Sequence, residues 1–116
     1  MAYKRQDRVA DLIKEEIATM LMHGEIKDPR IGFVTITHVK LTEDLKEARV
    51  FFSHFGTAEE REKSRLGLQS AGSYIRRNLA KRLKLRRIPA VEFLFDDSIE
   101  YSERIERLIR DIKGNP

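Results

Sequence analysis

The feature that most constrains this chain is a basic segment, residues 63–91, which contains nine lysine or arginine residues and no aspartate or glutamate. The rest of the chain is acidic on balance. Residues 1–62 hold ten basic and twelve acidic side chains, and residues 92–116 hold four and seven. A solvated surface normally mixes both signs of charge. We therefore expect one cationic face with a polyanionic partner.

The middle of the basic segment has the pattern of an amphipathic helix, which follows the small residues 71–73 and ends before Pro89. At 100° per residue its apolar side chains form one narrow stripe, made of Ile75, Leu79 and Leu83. Three cations fall on the opposite face: Arg77, Lys81 and Lys84. The helix is thus expected to pack inward through the stripe and to present its cations outward.

The small-residue break before this helix has a physical use. Glycine allows a positive φ and a close approach to a ligand, so Gly72 can seat a phosphate beneath the free N–H groups of the next helix. Ser73 can cap that helix or contact the same phosphate. The alternative is that the two residues are an ordinary C-cap and N-cap. If the bend is strained, Gly72→Val should cost stability or binding, because β-branched residues resist positive φ.

Hydrophobic periodicity and turn residues place the other elements. In chain order we first predict a helix over 7–23, a loop over 25–32, and two strands over 33–39 and 46–53 joined by a turn at 41–45. A helix then runs from the capping box at 57–60 to about 71, and the basic helix follows it. The last predicted elements are a strand over 90–95 and a helix that begins at Ser98 or Ser102 and has a frayed end at 114–116. The fold class is α+β: one domain over 1–116, a three-stranded sheet with helices on one face, and a C-terminal helical extension over 98–116.

Several classes of function lose support from composition. The chain has no cysteine, so thiolate metal sites, disulfides and cysteine nucleophiles are excluded. No apolar run approaches the roughly 20 residues that span a bilayer, and we expect a cytoplasmic protein. His38 and His54 have no third ligand at useful spacing and are interpreted as structural. We expect no metal, no cofactor and no catalytic residue.

Two consecutive helices joined by a tight turn between strands of one sheet are similar to the KH family of RNA-binding domains in its bacterial, type II arrangement. Five stretches, in their order and spacing, carry a closer resemblance over nearly the whole chain: residues 28–37, 44–53, 74–76, 83–89 and 93–101. In these the chain resembles the ribosome-binding factor A family. The family's Ala-x-Gly kink is altered here, because Ser73 stands where the glycine would be. The Gly-x-x-Gly loop typical of KH domains is absent.

The resemblance implies a non-catalytic assembly factor that binds the small (30S) ribosomal subunit and assists late maturation of 16S rRNA, above all in the cold. It implies a monomer whose partner is the small subunit with its rRNA, and no small-molecule substrate. The candidate RNA-binding residues lie at the break, along the basic helix and its continuation, and at the start of the first helix: Gly72, Ser73, Arg76, Arg77, Lys81, Arg82, Lys84, Arg86, Arg87, Lys4, Arg5 and Arg8.

Arg and Lys in this set would contact phosphates with little base readout. Tyr74 is the only aromatic residue beside the basic run, which argues against a base-stacking platform. Two other functions have less support from the sequence. A nuclease would need clustered carboxylates or a histidine pair, and the adjacent Asp96 and Asp97 point to opposite faces of an extended segment. A generic RNA-binding or anionic-surface module remains the alternative, although the apolar stripe is narrow and no tryptophan accompanies it.

Overall fold

The computed structural model describes residues 3–112, apart from the side chains of 99–105. The fold is α+β, and the predicted order of elements is confirmed. The elements are α1 Arg5–Met22, β1 Phe33–Leu41, β2 Glu47–Phe55, α2 Ala58–Ser70, α3 Gly72–Leu83, β3 Ala90–Phe95 and α4 Ser98–Ile112. Of the two predicted starts for α4, the structure has Ser98. The fraying expected at 114–116 lies outside the described residues.

The three strands form one mixed sheet in the order β1-β2-β3. β1 and β2 make the predicted antiparallel hairpin, and β3 pairs with β2 in parallel. A parallel pair needs a long crossover connection, and here α2 and α3 supply it. The helices α1, α2 and α3 pack on the sheet, α1 against β1 and the other two against β3.

One extra residue in β1 keeps the apolar side chains of that strand on a single face. The pairing with β2 shifts register between Ile36 and His38, which makes Thr37 the residue of a β-bulge. Ile36 and Val39 are three positions apart, so in a regular strand they would point to opposite faces. With the bulge both are buried, 4% and 5% exposed.

The core lies between this face of the sheet and the three helices. Each fully buried Val, Leu, Ile, Phe or Met side chain contributes about 1.5–3 kcal/mol. Among the residues whose side chains the structure describes, the large side chains of the core come from α1, α2, α3 and the three strands: Ile13, Ile17, Met20, Ile36, Val39, Leu41, Val50, Phe52, Leu68, Ile75, Leu79, Val91 and Phe93. In the described part of α4 the apolar side chains are exposed, from 47% at Ile109 to 81% at Ile112.

The loop between α1 and β1 is fixed to α2 by a buried serine and a glycine. The Ser64 hydroxyl is fully buried, accepts a hydrogen bond from the Gly32 N–H at 2.9 Å and donates to the Arg30 carbonyl at 3.4 Å. One turn later Gly67 leaves no room for a side chain, because a Cβ there would lie 2.7 Å from Ile31 Cγ1. This close contact sets how β1 leaves the loop and enters the sheet.

Glycine-to-alanine changes at the two helical glycines of the basic segment should have opposite effects. Gly67→Ala should destabilise the protein by about 1 kcal/mol, because overpacking costs about 1–3 kcal/mol and the gain in helix propensity returns only about 1 kcal/mol. Gly72→Ala should be neutral or stabilise by at most about 0.5 kcal/mol, since its Cβ would meet nothing within 4 Å. Urea unfolding of both variants measures the difference. Equal effects would contradict the contact described at Gly67.

Candidate nucleic-acid interface

The basic helix is shorter than the sequence indicated. α3 ends at Leu83, and Lys84 adopts the left-handed conformation with φ 50° and ψ 40°. The expected position of Lys84 on the helix face is therefore wrong. The chain must reverse here to enter β3, and Pro89 keeps the residue before it out of the helical region. Lys84, Arg86 and Arg87 are exposed in the loop between α3 and β3.

Within α3 the predicted division into two faces is confirmed. Ile75 and Leu79 are fully buried, and Leu83 is half-buried against the core. Arg77 and Lys81 are exposed, and neither forms an ion pair with a described residue. Together with the loop they form one set of exposed cations, which we call the cationic surface: Arg77, Lys81, Lys84, Arg86 and Arg87.

Two further arginines of α3 are engaged by the protein itself. The Arg76 side chain is tied to the start of β3, since its Nε donates to the Pro89 carbonyl at 3.2 Å. Arg82 lies 2.5 Å from a Glu25 oxygen and 3.5 Å from a Glu16 oxygen, and its side chain is 31% exposed. Sequence reasoning placed Arg82 among the RNA-binding cations. The structure gives Arg82 two carboxylate partners that lie more than fifty residues away in the chain.

Glu25 joins α3 to the segment after α1 through two side chains. Its Oε1 accepts hydrogen bonds from Arg82 and, at 2.9 Å, from the Tyr74 hydroxyl. The Arg82 guanidinium first, and then the Tyr74 hydroxyl, hold the pKa of Glu25 below its usual value. Glu25 thus stays ionised and keeps Arg82 paired. Tyr74 is half-buried in this arrangement and is not an open stacking surface.

The break between α2 and α3 is made by Ala71 rather than by Gly72. Ala71 is the C-cap of α2 and the N-cap of α3, with φ −81° and ψ 1°, and its carbonyl accepts from the Ile75 N–H at 3.0 Å. Gly72 does not have a positive φ, so the expectation of a strained backbone at this position is wrong. Ser73 lies inside the first turn of α3, and the N-cap has no side-chain hydrogen bond. The proposed capping role of Ser73 is therefore also wrong.

Lys4, Arg5 and Arg8 form a separate group at the start of α1. All three are exposed, and Lys4 is the N-cap, its N–H donating to Asp7 Oδ2 at 3.1 Å. Arg82 meets α1 at Glu16, eight residues after Arg8, which is about 12 Å along the helix axis. The described contacts do not bring these cations together with the cationic surface.

Within residues 3–98 and 106–112 no group of three or more histidines or acidic residues is arranged to hold a metal ion. No helix in the described part of the chain is long and apolar enough to span a membrane.

The fold and this surface define a class: a small α+β protein whose exposed cations, on one helix and the loop after it, form no ion pair with a described residue and have no acidic residue between them in the sequence. Residues 5–109 match the family model of ribosome-binding factor A. A ribosome-binding factor A of Syntrophobacter fumaroxidans is 47% identical over 99% of both chains, and one of Brevibacillus brevis is 47% identical over 93% of this chain and 88% of its own. The chain belongs to the ribosome-binding factor A family.

Solved structures of the family share the fold. The crystal structure of ribosome-binding factor A from Thermus thermophilus superposes with a TM-score of 0.67 at 27% identity, covering 79% of this chain and 96% of that one. The solution structure of a protein from Thermotoga maritima, described as a putative ribosome-binding factor A, gives a TM-score of 0.65 at 33% identity, covering 85% and 96%. The predicted resemblance is thereby confirmed at the level of the family.

Alanine variants of Arg77 and Arg82, both on α3, should separate RNA binding from stability. Arg82→Ala should lower the midpoint of thermal unfolding and leave the salt dependence of RNA binding unchanged, because Arg82 is paired with carboxylates. Arg77→Ala should keep the unfolding midpoint and reduce the slope of log K against log salt by about 0.7–0.9, the value for one phosphate contact. Calorimetry and a salt titration of RNA affinity measure the two effects. The reverse pattern would contradict this division of roles.

Proposed function

We propose that this protein binds the small ribosomal subunit through phosphates of its RNA and assists late maturation of 16S rRNA without catalysing a reaction. The observation that carries the proposal is the cationic surface, five exposed cations in a segment that has no acidic residue. A Thermus thermophilus relative supports the choice of partner. Its homology model, fitted into a map of a 30S complex, superposes on 76% of this chain and 91% of its own with a TM-score of 0.62 and 26% identity.

The cationic surface is suited to phosphates rather than to base edges. Its two members on α3, Arg77 and Lys81, lie on a rigid helix whose opposite side is in the core. Rigidity fixes the spacing of the charges, and the loop cations extend the surface beyond the helix. Contacts of this kind position a protein on folded RNA and supply affinity that falls with salt.

The other candidate residues take supporting roles in this proposal. Arg76 presents its free nitrogens beside the cationic surface while its Nε holds the Pro89 carbonyl. Gly72 and Ser73 lie in the first turn of α3, where N–H groups and a small side chain allow a phosphate to approach. The cations at the start of α1 would contact a second part of the RNA. Arg82 fixes the helix in position.

The proposal includes a cytoplasmic, monomeric protein that needs no cofactor and no small-molecule substrate. Its benefit should be largest in the cold, where misfolded RNA escapes slowly from its traps. Cells lacking the protein should accumulate small subunits with incompletely processed 16S rRNA. A generic polyanion binder would instead bind both ribosomal subunits and unrelated RNA equally.

Reversing two charges of the cationic surface should weaken subunit binding steeply and leave the fold intact. Arg77→Glu with Lys81→Glu removes two phosphate contacts, which flattens the log–log salt slope by roughly 1.5. Because both side chains are exposed, circular dichroism and the unfolding midpoint should not change. Cosedimentation with purified small subunits, large subunits and free RNA over a salt series measures the effect.

The matched control is Lys27→Glu with Lys46→Glu, the same change of net charge at two exposed lysines outside the basic segment. This control should cosediment with small subunits as the unchanged protein does. An unaltered salt slope in the folded Arg77/Lys81 variant would remove the assignment of the surface. RNA cleavage by the purified protein alone would overturn the proposal of a non-catalytic factor.

A further inference from the structure

Two phenylalanines stand side by side on the open face of the sheet, away from the helices. Phe33 and Phe55 are direct register partners on β1 and β2, and they are 81% and 84% exposed. The neighbouring pair, Val34 and His54, points the other way, towards the core side. Because strand residues alternate, neither phenylalanine can turn inward without moving the whole strand. Two large apolar side chains exposed together are typical of a binding surface.

The rest of this face is polar and cationic rather than apolar. Beyond the phenylalanines the register pairs on the same face are Thr35 with Ser53, His38 with Phe51, and Lys40 with Arg49. The ring centroids of His38 and Phe51 lie 5.9 Å apart, and the two ring planes are tilted by 33°. A face that alternates aromatic rings with hydroxyls and ends in two cations matches a strand of nucleotides better than an apolar helix of a protein partner.

A cleft of about 260 Å³ opens beside the phenylalanine pair at the end of the sheet, where residues of the α1–β1 loop and of α2 also line it. Lys63 and Arg30 line this cleft with His54 and Glu60. Glu60 is committed to the cap of α2, since its carboxylate accepts from the Thr57 N–H at 3.1 Å and from the Thr57 hydroxyl at 2.9 Å. Arg30 is paired with Asp28, whereas Lys63 has no ion-pair partner among the described residues. Lys63 is thus placed to meet a phosphate beside the rings.

We propose that the open sheet face binds a short single-stranded stretch of RNA, with one base stacked on Phe33 and Phe55 and the adjoining phosphate at Lys63. The inference rests on the proposed function, since it adds a second contact for the same RNA partner. Cross-strand neighbours have Cβ atoms about 4.5–5.5 Å apart, so two rings together offer a surface of about the size of a base. Stacking of this kind tolerates any base.

This site changes one expectation from the sequence. The basic segment holds no aromatic residue free for stacking, and that absence argued against a base-stacking platform. The phenylalanine pair lies outside the basic segment, on strands where aromatic residues are common for reasons of sheet propensity alone. Only the pairing register and the uncovered face bring the two rings together in solvent.

The experiment uses the full chain and a labelled ten-nucleotide oligouridylate, with a blunt RNA duplex of the same length for comparison. Phe33→Leu with Phe55→Leu keeps apolar area and removes the aromatic faces, whereas the double tyrosine variant keeps both. The leucine variant should bind the single strand about 5- to 150-fold more weakly than the unchanged protein. The tyrosine variant should bind it as tightly as the unchanged protein does. Duplex affinity should not change. Met22→Ala, at an apolar residue that is 81% exposed on α1, is the control and should have no effect.

A single 2-aminopurine placed in the oligonucleotide reports stacking directly, since its fluorescence should fall on binding and stay high with the leucine variant. Equal affinity of the leucine variant and the unchanged protein for the single strand would overturn the proposal. Dimers in sedimentation that the leucine variant abolishes would assign the face to a second copy of the chain. If the protein binds small subunits but no single strand, this inference fails while the proposed function stands. If it binds neither, both fail.

Discussion

The structure depends on one inserted residue in β1. Without the bulge at Thr37, Val39 and Leu41 would point away from α1, and each would forfeit about 1.5–3 kcal/mol of burial. With it, both halves of the strand contribute to one apolar face, and three helices can cover that face. The same residue decides the outer face, because every pair that points outward before and after the bulge is fixed by the same register. Core and solvent surface are therefore set together.

The sequence was sufficient for the number, order and type of elements, because each carries a strong periodic or capping signal. The predicted capping box of Thr57 and Glu60 is confirmed, as are the buried residues Ile75 and Leu79. The bulge left a trace, since the aliphatic positions of β1 change from even to odd numbers after Ile36. The parallel pairing of β3 left none. A strand's direction within a sheet depends on contacts with residues far away in the chain.

The candidate site was predictable in its charge and less so in its geometry. A helical wheel identifies Arg77 and Lys81 as outward cations, and the structure agrees. A helical wheel does not predict that Glu16 and Glu25 pair with Arg82, because that pairing depends on how α1 and α3 pack against each other. It also extends the helix through Lys84, where the need to turn into β3 prevails over local propensity. Gly72 drew attention as a flexible residue, yet Ala71 provides the bend through an unusual but permitted ψ.

The left-handed conformation of Lys84 sets the stability of the backbone against the charge that the side chain carries. A left-handed conformation costs a residue with a side chain roughly 1–2 kcal/mol, and glycine or asparagine usually occupies such a position after a helix. Glycine at this position would relieve that energy and delete a positive charge from the exposed loop. A substitution at position 84 would thus change the stability of the fold and the affinity for an anionic partner in opposite directions. Family members from organisms that grow at different temperatures should therefore differ in the residue that occupies this position.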